Sequence, residues 1–254
     1  EDELLTQFHM DIAASIQSVT EEVVLRLTKN IANEYKIKNL CMAGGVALNC
    51  VANGKILKNK IFKNIWVQPA AGDAGGSLGA ALGYWHQELK NNRVVDVSDS
   101  MKGSYLGPKF DGEDIKRELN LLKANFKEYK EVDLIEIISR ELSEEKTIGW
   151  FQGRMEFGPR ALGGRSILAD PRSEKIQKEL NLKVKFRESF RPFAPSVLSE
   201  EVENWFDLDI SSPYMLLVAD IKKKIQIPMT ETQKNLFGID KLNIKRSRIP
   251  AVTH

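Results

Sequence analysis

The chain has 254 residues, 42% hydrophobic and 28% charged, with a formal net charge of +2. That length gives one or two domains, each large enough for a real core. The near-neutral balance gives no general reason to expect nucleic acid or a membrane surface as partner, and no apolar run is as long as a membrane helix. The opening EDELLTQF is no signal peptide, and Cys41 and Cys50 read as free buried thiols of a reducing cytoplasm.

Residues 3–35 are predicted to be helical. Ile12, Ile16, Val19, Val23, Leu27 and Ile31 recur at spacings of three and four, the pattern of a core-facing stripe. Lys38 to Met42 reads as a short buried strand running into Gly44-Gly45. A strand, paired glycines and a helix start can present backbone N–H groups to an anion. Residues 50–59 continue as a helix, and Ile65–Val67 is a second strand. With two such units in tandem, Gly44–Asn49 and Gly72–Gly76 are expected at the ends of adjacent parallel strands. Asp73 is the single acid within the small-residue run 70–83, and taken alone it reads as an N-cap.

Residues 91–107 break the pattern, and a domain boundary is placed there. Helices are predicted over 111–120, 132–145 and 173–182, and a buried strand over 147–151. The stretch after that strand, to residue 172, sets Arg154, Arg160, Arg165 and Arg172 among four glycines and two prolines. Guanidinium forks match phosphate and carboxylate oxygens, and glycine lets a backbone approach them. Residues 151–191 hold ten Lys/Arg against five Asp/Glu, a local +5 that points to a small anionic ligand. In 183–191 basic and apolar residues alternate, which predicts an extended segment with Lys183, Lys185, Arg187 and either Ser189 or Arg191 on one side, anchored by phenylalanines. A short acidic helix at 199–206, a strand at 215–218, a long loop at 221–247 and a final strand from Pro250 complete the prediction.

The stretches AGGVALNCVANGK, VQPAAGDAGGSLGAAL, GRMEFGPRALGGRSILADPR, VKFRESFRPFAP and PAVTH occur in that order. From about residue 8 to residue 254 the chain resembles the C-terminal portion of NodU/CmcH-type O-carbamoyltransferases; only 221–247 carries no matching motif. The resemblance implies an α/β chain. Residues 1–98 would be a partial ASKHA (actin/Hsp70/sugar-kinase-like) lobe, its N-terminal part missing. Residues 99–254 would be a YrdC-like domain, cut at its C-terminal end. It implies that ATP and carbamoyl phosphate form carbamoyladenylate in the second domain, and that the first passes the carbamoyl group to a hydroxyl of a sugar or natural product.

The same resemblance assigns residues. Gly44, Gly45, Val46 and Asn49 would bind nucleotide. Arg154, Arg160, Arg165, Arg172, Lys183, Lys185, Arg187 and Arg191 would surround ATP and carbamoyl phosphate, with Arg160, Arg165, Lys185 and Arg187 as the catalytic set. Asp73 would ligate Fe(II) or a similar divalent metal, which displaces the N-cap reading, and Mg could accompany ATP. The family's other metal ligands are histidines in an HxxxH-like motif upstream. Here His9, His86 and His254 are scattered, so this chain is expected to lack the metal and to be inactive in full transfer. A cytoplasmic location and room for a homodimer complete the expectation. Two other readings stand beside it: a tRNA-modifying carbamoyl-adenylate enzyme and a non-catalytic nucleotide-binding partner.

Overall fold

The structure is a computed structural model that describes residues 5–95 and 98–253. The first residues of the predicted helix, and His254, lie outside the described residues. The chain is a mixed α/β fold in which many short helices surround two small sheets.

Helix α1 runs Gln7–Tyr35. It contains neither Pro nor Gly, so nothing interrupts its ladder. His9 Nδ1 bonds back to the Thr6 backbone N–H at 3.2 Å and to the Thr6 hydroxyl at 2.8 Å, closing the first turn. Lys36, with φ 53°, ends it in the left-handed conformation.

The predicted apolar stripe faces the wrong way for a core. Ile12, Ile16, Val19, Val23, Leu27 and Ile31 are all exposed, and Glu21 and Thr28 are the buried residues. The helix docks through polar groups instead. Glu21 pairs with Lys55, and Gln17 exchanges hydrogen bonds with Asn49. The exposure is general. The chain presents 18451 Å², against roughly 11,000 Å² for a compact monomer of this mass. Ile16→Gln should therefore change the stability of this chain by no more than about 0.5 kcal/mol. Urea denaturation checks this, since a core position would lose several times as much.

Strands β1 (Asn39–Met42) and β2 (Asn64–Val67) pair in parallel with Met42 opposite Val67. The crossover between them is α2 (Cys50–Lys58), and α3 (Asp73–Gly83) follows β2. Both predicted glycine loops thus leave the same sheet edge. Gly44 N–H donates to the Ala71 carbonyl at 2.8 Å and ties them together. β1 is half-covered, not buried, and Cys41 on it is exposed while Cys50 is half-buried. The predicted buried thiols are thus corrected, because the described residues cover only one side of this sheet.

The polar segment near residue 100 is a turn packed into the core. Met101 joins Ala47, Val67, Ala71, Tyr214 and Leu216 in one buried cluster. Tyr214 bonds to Asp99 and accepts from Gly103 N–H. Side chains from both sides of the boundary placed at 98/99 therefore share that core.

Helices α4 (Gly112–Leu121) and α5 (Glu131–Ser143) are as predicted, with Asp111 capping α4 through Asp114 N–H at 2.8 Å. Strands β3 (Ile148–Phe151) and β4 (Arg165–Leu168) form an antiparallel hairpin whose long loop is residues 152–164. β3 is half-exposed where a buried strand was expected.

Three further expectations are corrected. Residues 183–191 are not extended: Val184 ends a widened helical turn, Lys185 stays helical, and Phe186 turns left-handed at φ 49° with its ring in solvent. Phe190 and Phe193 are only half-buried. Residues 215–218 are no strand; Met215 is left-handed at φ 54°, which breaks any ladder there. Pro250–Val252 is a 3-10 turn, not a strand.

Candidate functional site

The site is built where the arginine loop meets the glycine loops. Gly44 has φ 97°, a conformation that disfavours any side chain. A Cβ added at Gly44 or Gly45 would meet no atom within 4 Å, so the loop borders open space. The following 3-10 turn, Gly45–Leu48, leads into α2, which Asn49 caps by accepting from Ala52 N–H at 3.1 Å. Of the four predicted nucleotide residues, Gly44, Gly45 and Val46 border the space, and the Asn49 amide is engaged with α1 and α2.

The arginine loop packs directly onto this edge. A Cβ at Gly158 would stand 3.3 Å from the Pro69 carbonyl oxygen and 3.4 Å from Ala70 Cα. Arg160 Nη2 donates to the Leu48 carbonyl at 3.1 Å. Its Nε is enclosed and has no partner among the described residues. Arg160 thus spans from the hairpin to the glycine loop and keeps a donor in reserve.

Glu156 holds the loop in shape, and sequence reasoning missed it. Its buried Oε1 accepts from the backbone N–H of Leu162 at 2.7 Å, Gly164 at 2.8 Å and Arg165 at 3.4 Å. Burial pushes the carboxyl up, but the N–H donors of Leu162, Gly164 and Arg165 outweigh it and hold its pKa below the ordinary carboxylate value. A lone acid amid small residues and arginines was the available signal. Gly164 is required there, because a Cβ would stand 2.7 Å from the Arg154 carbonyl oxygen.

The other cations are committed to varying degrees. Arg165 lies 3.3 Å over the Phe151 ring and donates to the carbonyls of Gln152 at 3.1 Å, Gly153 at 3.2 Å and Gly164 at 2.7 Å. Arg154 Nη1 reaches the Gly107 carbonyl at 2.9 Å. Arg172 grips buried Asp170 with Nε at 2.9 Å and Nη2 at 2.5 Å. That guanidinium holds the Asp170 carboxyl below its ordinary range.

In the turn after α6 (Ile176–Glu179), Arg187 Nε donates to Asn181 Oδ1 at 2.7 Å and its guanidinium lies 5.2 Å from the Phe193 ring. Fully buried Asn181 also holds the carbonyls of Ser189 at 3.0 Å and Arg191 at 2.9 Å. Lys183 pairs with Glu179 at 3.5 Å and Arg191 with Glu188 at 2.9 Å. Lys185 has no side-chain partner among the described residues. Asn181, like Glu156, was not singled out from sequence, because its value depends on which carbonyls the turn brings round.

Asp73 is the first residue of α3 and makes no capping bond, so the N-cap reading does not hold; Gly72 occupies the cap. Among the described residues there is no group of three or more His, Cys, Asp or Glu that could hold a metal ion. His9 is engaged with Thr6, and His86 with the Asn91 carbonyl. A single carboxylate does not by itself fit a transition-metal site.

The fold and site together define an α/β protein with a cation-rich loop set against a glycine-rich sheet edge, suited to anionic ligands. Residues 2–82 match the family model described as "Carbamoyltransferase N-terminus" and residues 139–254 the one described as "Carbamoyltransferase C-terminus". The chain belongs to the carbamoyltransferase family. It is 58% identical over 252 residues to an uncharacterized protein of Synechocystis, covering 98% of this chain and 41% of that protein. It is 40% identical over 240 residues to the nodulation protein NolNO of Sinorhizobium fredii, covering 92% of this chain and 33% of that one. Against the nodulation protein NolO of Bradyrhizobium diazoefficiens the identity is 40% over 225 residues, 86% of this chain and 40% of the other. The chain therefore spans about two fifths or less of the length of these relatives.

Proposed function

We propose that this chain is the part of an O-carbamoyltransferase that brings the carbamoyladenylate-forming site and the transfer site together. The observation that carries the reading is Arg160, rooted in the arginine hairpin and bonded to the Leu48 carbonyl of the glycine loop. In this reading residues 1–98 contribute an ASKHA-like lobe and residues 99–254 a YrdC-like domain.

The chemistry runs in two stages. Carbamoyl phosphate loses phosphate to water and leaves carbamate. A carbamate oxygen then bonds to the α-phosphorus of ATP as the bond to the β-phosphate breaks and pyrophosphate departs. In the second stage the acceptor hydroxyl oxygen bonds to the carbamoyl carbon. The bond to AMP breaks, and the hydroxyl proton passes to solvent. Several negative charges must be held close together in the first stage. Preorganised cations such as Arg154, Arg160 and Arg165, with the Lys183–Arg191 turn, serve that need at little reorganisation cost. Their geometry suits two-oxygen recognition better than point charges would.

Asp73 enters this proposal as one ligand of a divalent metal, Fe(II) or similar, whose other ligands come from a longer polypeptide. Mg would travel with ATP. The acceptor is a hydroxyl-bearing sugar or natural product.

The test is pyrophosphate release that requires both ATP and carbamoyl phosphate, measured beside acceptor carbamoylation and metal content. The expected result for these 254 residues is substoichiometric metal, no acceptor carbamoylation and weak binding of ATP or carbamoyl phosphate. A polypeptide of the relatives' length should release pyrophosphate from the two together. No dependence on carbamoyl phosphate in that longer protein would refute the reading and leave a nucleotide-binding partner in its place.

A further inference from the structure

Arg246 lies outside the arginine loop and the Lys183–Arg191 turn, on the segment that runs into Pro250–Val252. Its backbone is pinned on a short antiparallel ladder. Ile227 N–H donates to the Arg246 carbonyl at 2.8 Å, Arg248 N–H donates to the Ile225 carbonyl at 3.0 Å, and Gln226 bridges Ser247. Ser247, Ile249 and Ile225 beside it are buried. The start of its side chain is therefore held, and the placement is not that of a loose surface arginine.

Two of its guanidinium nitrogens, Nε and Nη2, are enclosed and have no hydrogen-bond partner among the described residues. These two share one edge of the planar group, the edge that grips two oxygens at once. The same edge of Arg172 shows its use within this molecule, where Nε and Nη2 hold the Asp170 carboxylate. At Arg246 the equivalent fork meets no carboxylate among the described residues. An enclosed charge without partners costs free energy, so the fold gains nothing by keeping it unmatched.

The segment around it decides the class of anion. Residues 241–248 hold Lys241, Lys245, Arg246 and Arg248 and no acid. Lys245 reaches Glu174 at 2.6 Å, and Ala251 N–H meets the Pro171 carbonyl at 3.2 Å, so the segment lies against the Asp170–Glu174 loop. There the Arg172 charge is already matched by Asp170. An unpartnered two-donor edge in a segment without acids suits a doubly charged phosphoryl group better than a singly charged carboxylate.

We infer that Arg246 is an oxyanion-binding residue whose Nε–Nη2 edge takes a phosphoryl group, either free phosphate or the phosphate of a larger ligand. The inference does not require the carbamoyl chemistry proposed above, and it can fail or stand separately.

The test compares the unsubstituted chain with Arg246→Met and Arg246→Lys by thermal unfolding, in inorganic phosphate and in chloride at equal ionic strength. Phosphate should raise the melting temperature of the unsubstituted chain more than chloride does. The extra rise should vanish in Arg246→Met and shrink in Arg246→Lys, with at least a tenfold loss of phosphate affinity by calorimetry. In chloride, Arg246→Met should melt no lower than the unsubstituted chain, because an unmatched charge has been replaced by an apolar chain. Repeating the series with ATP and with carbamoyl phosphate separates free phosphate from the larger ligands. An equal phosphate response in all three proteins would overturn the inference and leave a fork filled by water only. So would a lower melting temperature of both variants in chloride, which would make Arg246 a structural residue.

Discussion

Arg160→Lys is expected to weaken binding of carbamoyl phosphate and ATP by about tenfold to a hundredfold, with little change in melting temperature. The Nη2 bond to the Leu48 carbonyl and the enclosed, unpartnered Nε belong to one planar group. An ammonium can reach one of those positions but not span both. Losing a hydrogen bond from a charged donor costs about 1.5–3 kcal/mol, which corresponds to that range of affinity. Calorimetry on the folded variant reads it, and unchanged affinity for both ligands would remove Arg160 from the site. Arg165→Lys provides the contrast. That guanidinium is stacked on Phe151 and spent on three carbonyls, so its loss should appear first in the stability of the hairpin.

Glu156→Ala should cost about 3 kcal/mol or more. Three backbone N–H groups would lose their acceptor, two of them bonded at 2.7 and 2.8 Å, and each donor left unmatched inside the protein costs roughly 1–3 kcal/mol. Glu156→Gln keeps an oxygen in place and should lose less. The two variants also differ from the parent in their response to acid. The folded pKa of Glu156 lies below its unfolded value. Its contribution is therefore fully present above the ordinary carboxylate pKa and is lost as pH falls through the depressed one. Asp170 and Glu21 act in the same direction. Denaturant midpoints measured from neutral to acid pH should fall less steeply for Glu156→Gln than for the parent. Parallel curves would show that the carboxylate is not the group holding the loop.

The elements that were legible in the sequence are those determined by local chemistry. α1 shows its period, lacks Pro and Gly, and ends within a residue of the predicted position. The units β1–α2 and β2–α3 are marked by short apolar runs followed by glycines. Parallel pairing then has few ways to arrange them, so the two glycine loops fall at one edge as expected. What misled was the assumption that alternation or periodicity implies a buried partner. At 183–191 alternation suggested a strand, but Asn181 bonds to the carbonyls of Ser189 and Arg191 and wraps the segment into a turn. In α1 the stripe expected to face a core is exposed, and Glu21 and Thr28 are the buried residues.

The sequence by itself determined the elements α1, β1, α2, β2 and α3, the family, and the concentration of arginine and glycine that marks the candidate site. These follow from propensity, periodicity and residue chemistry, which act over a few residues. Only the tertiary structure decided which arginine meets the glycine loop, which are spent on nearby carbonyls and carboxylates, and which acid organises the arginine loop. Arg160 and Leu48 are 112 residues apart in the chain. A guanidinium's availability depends on whether folding delivers an acceptor to it, and no local pattern encodes that.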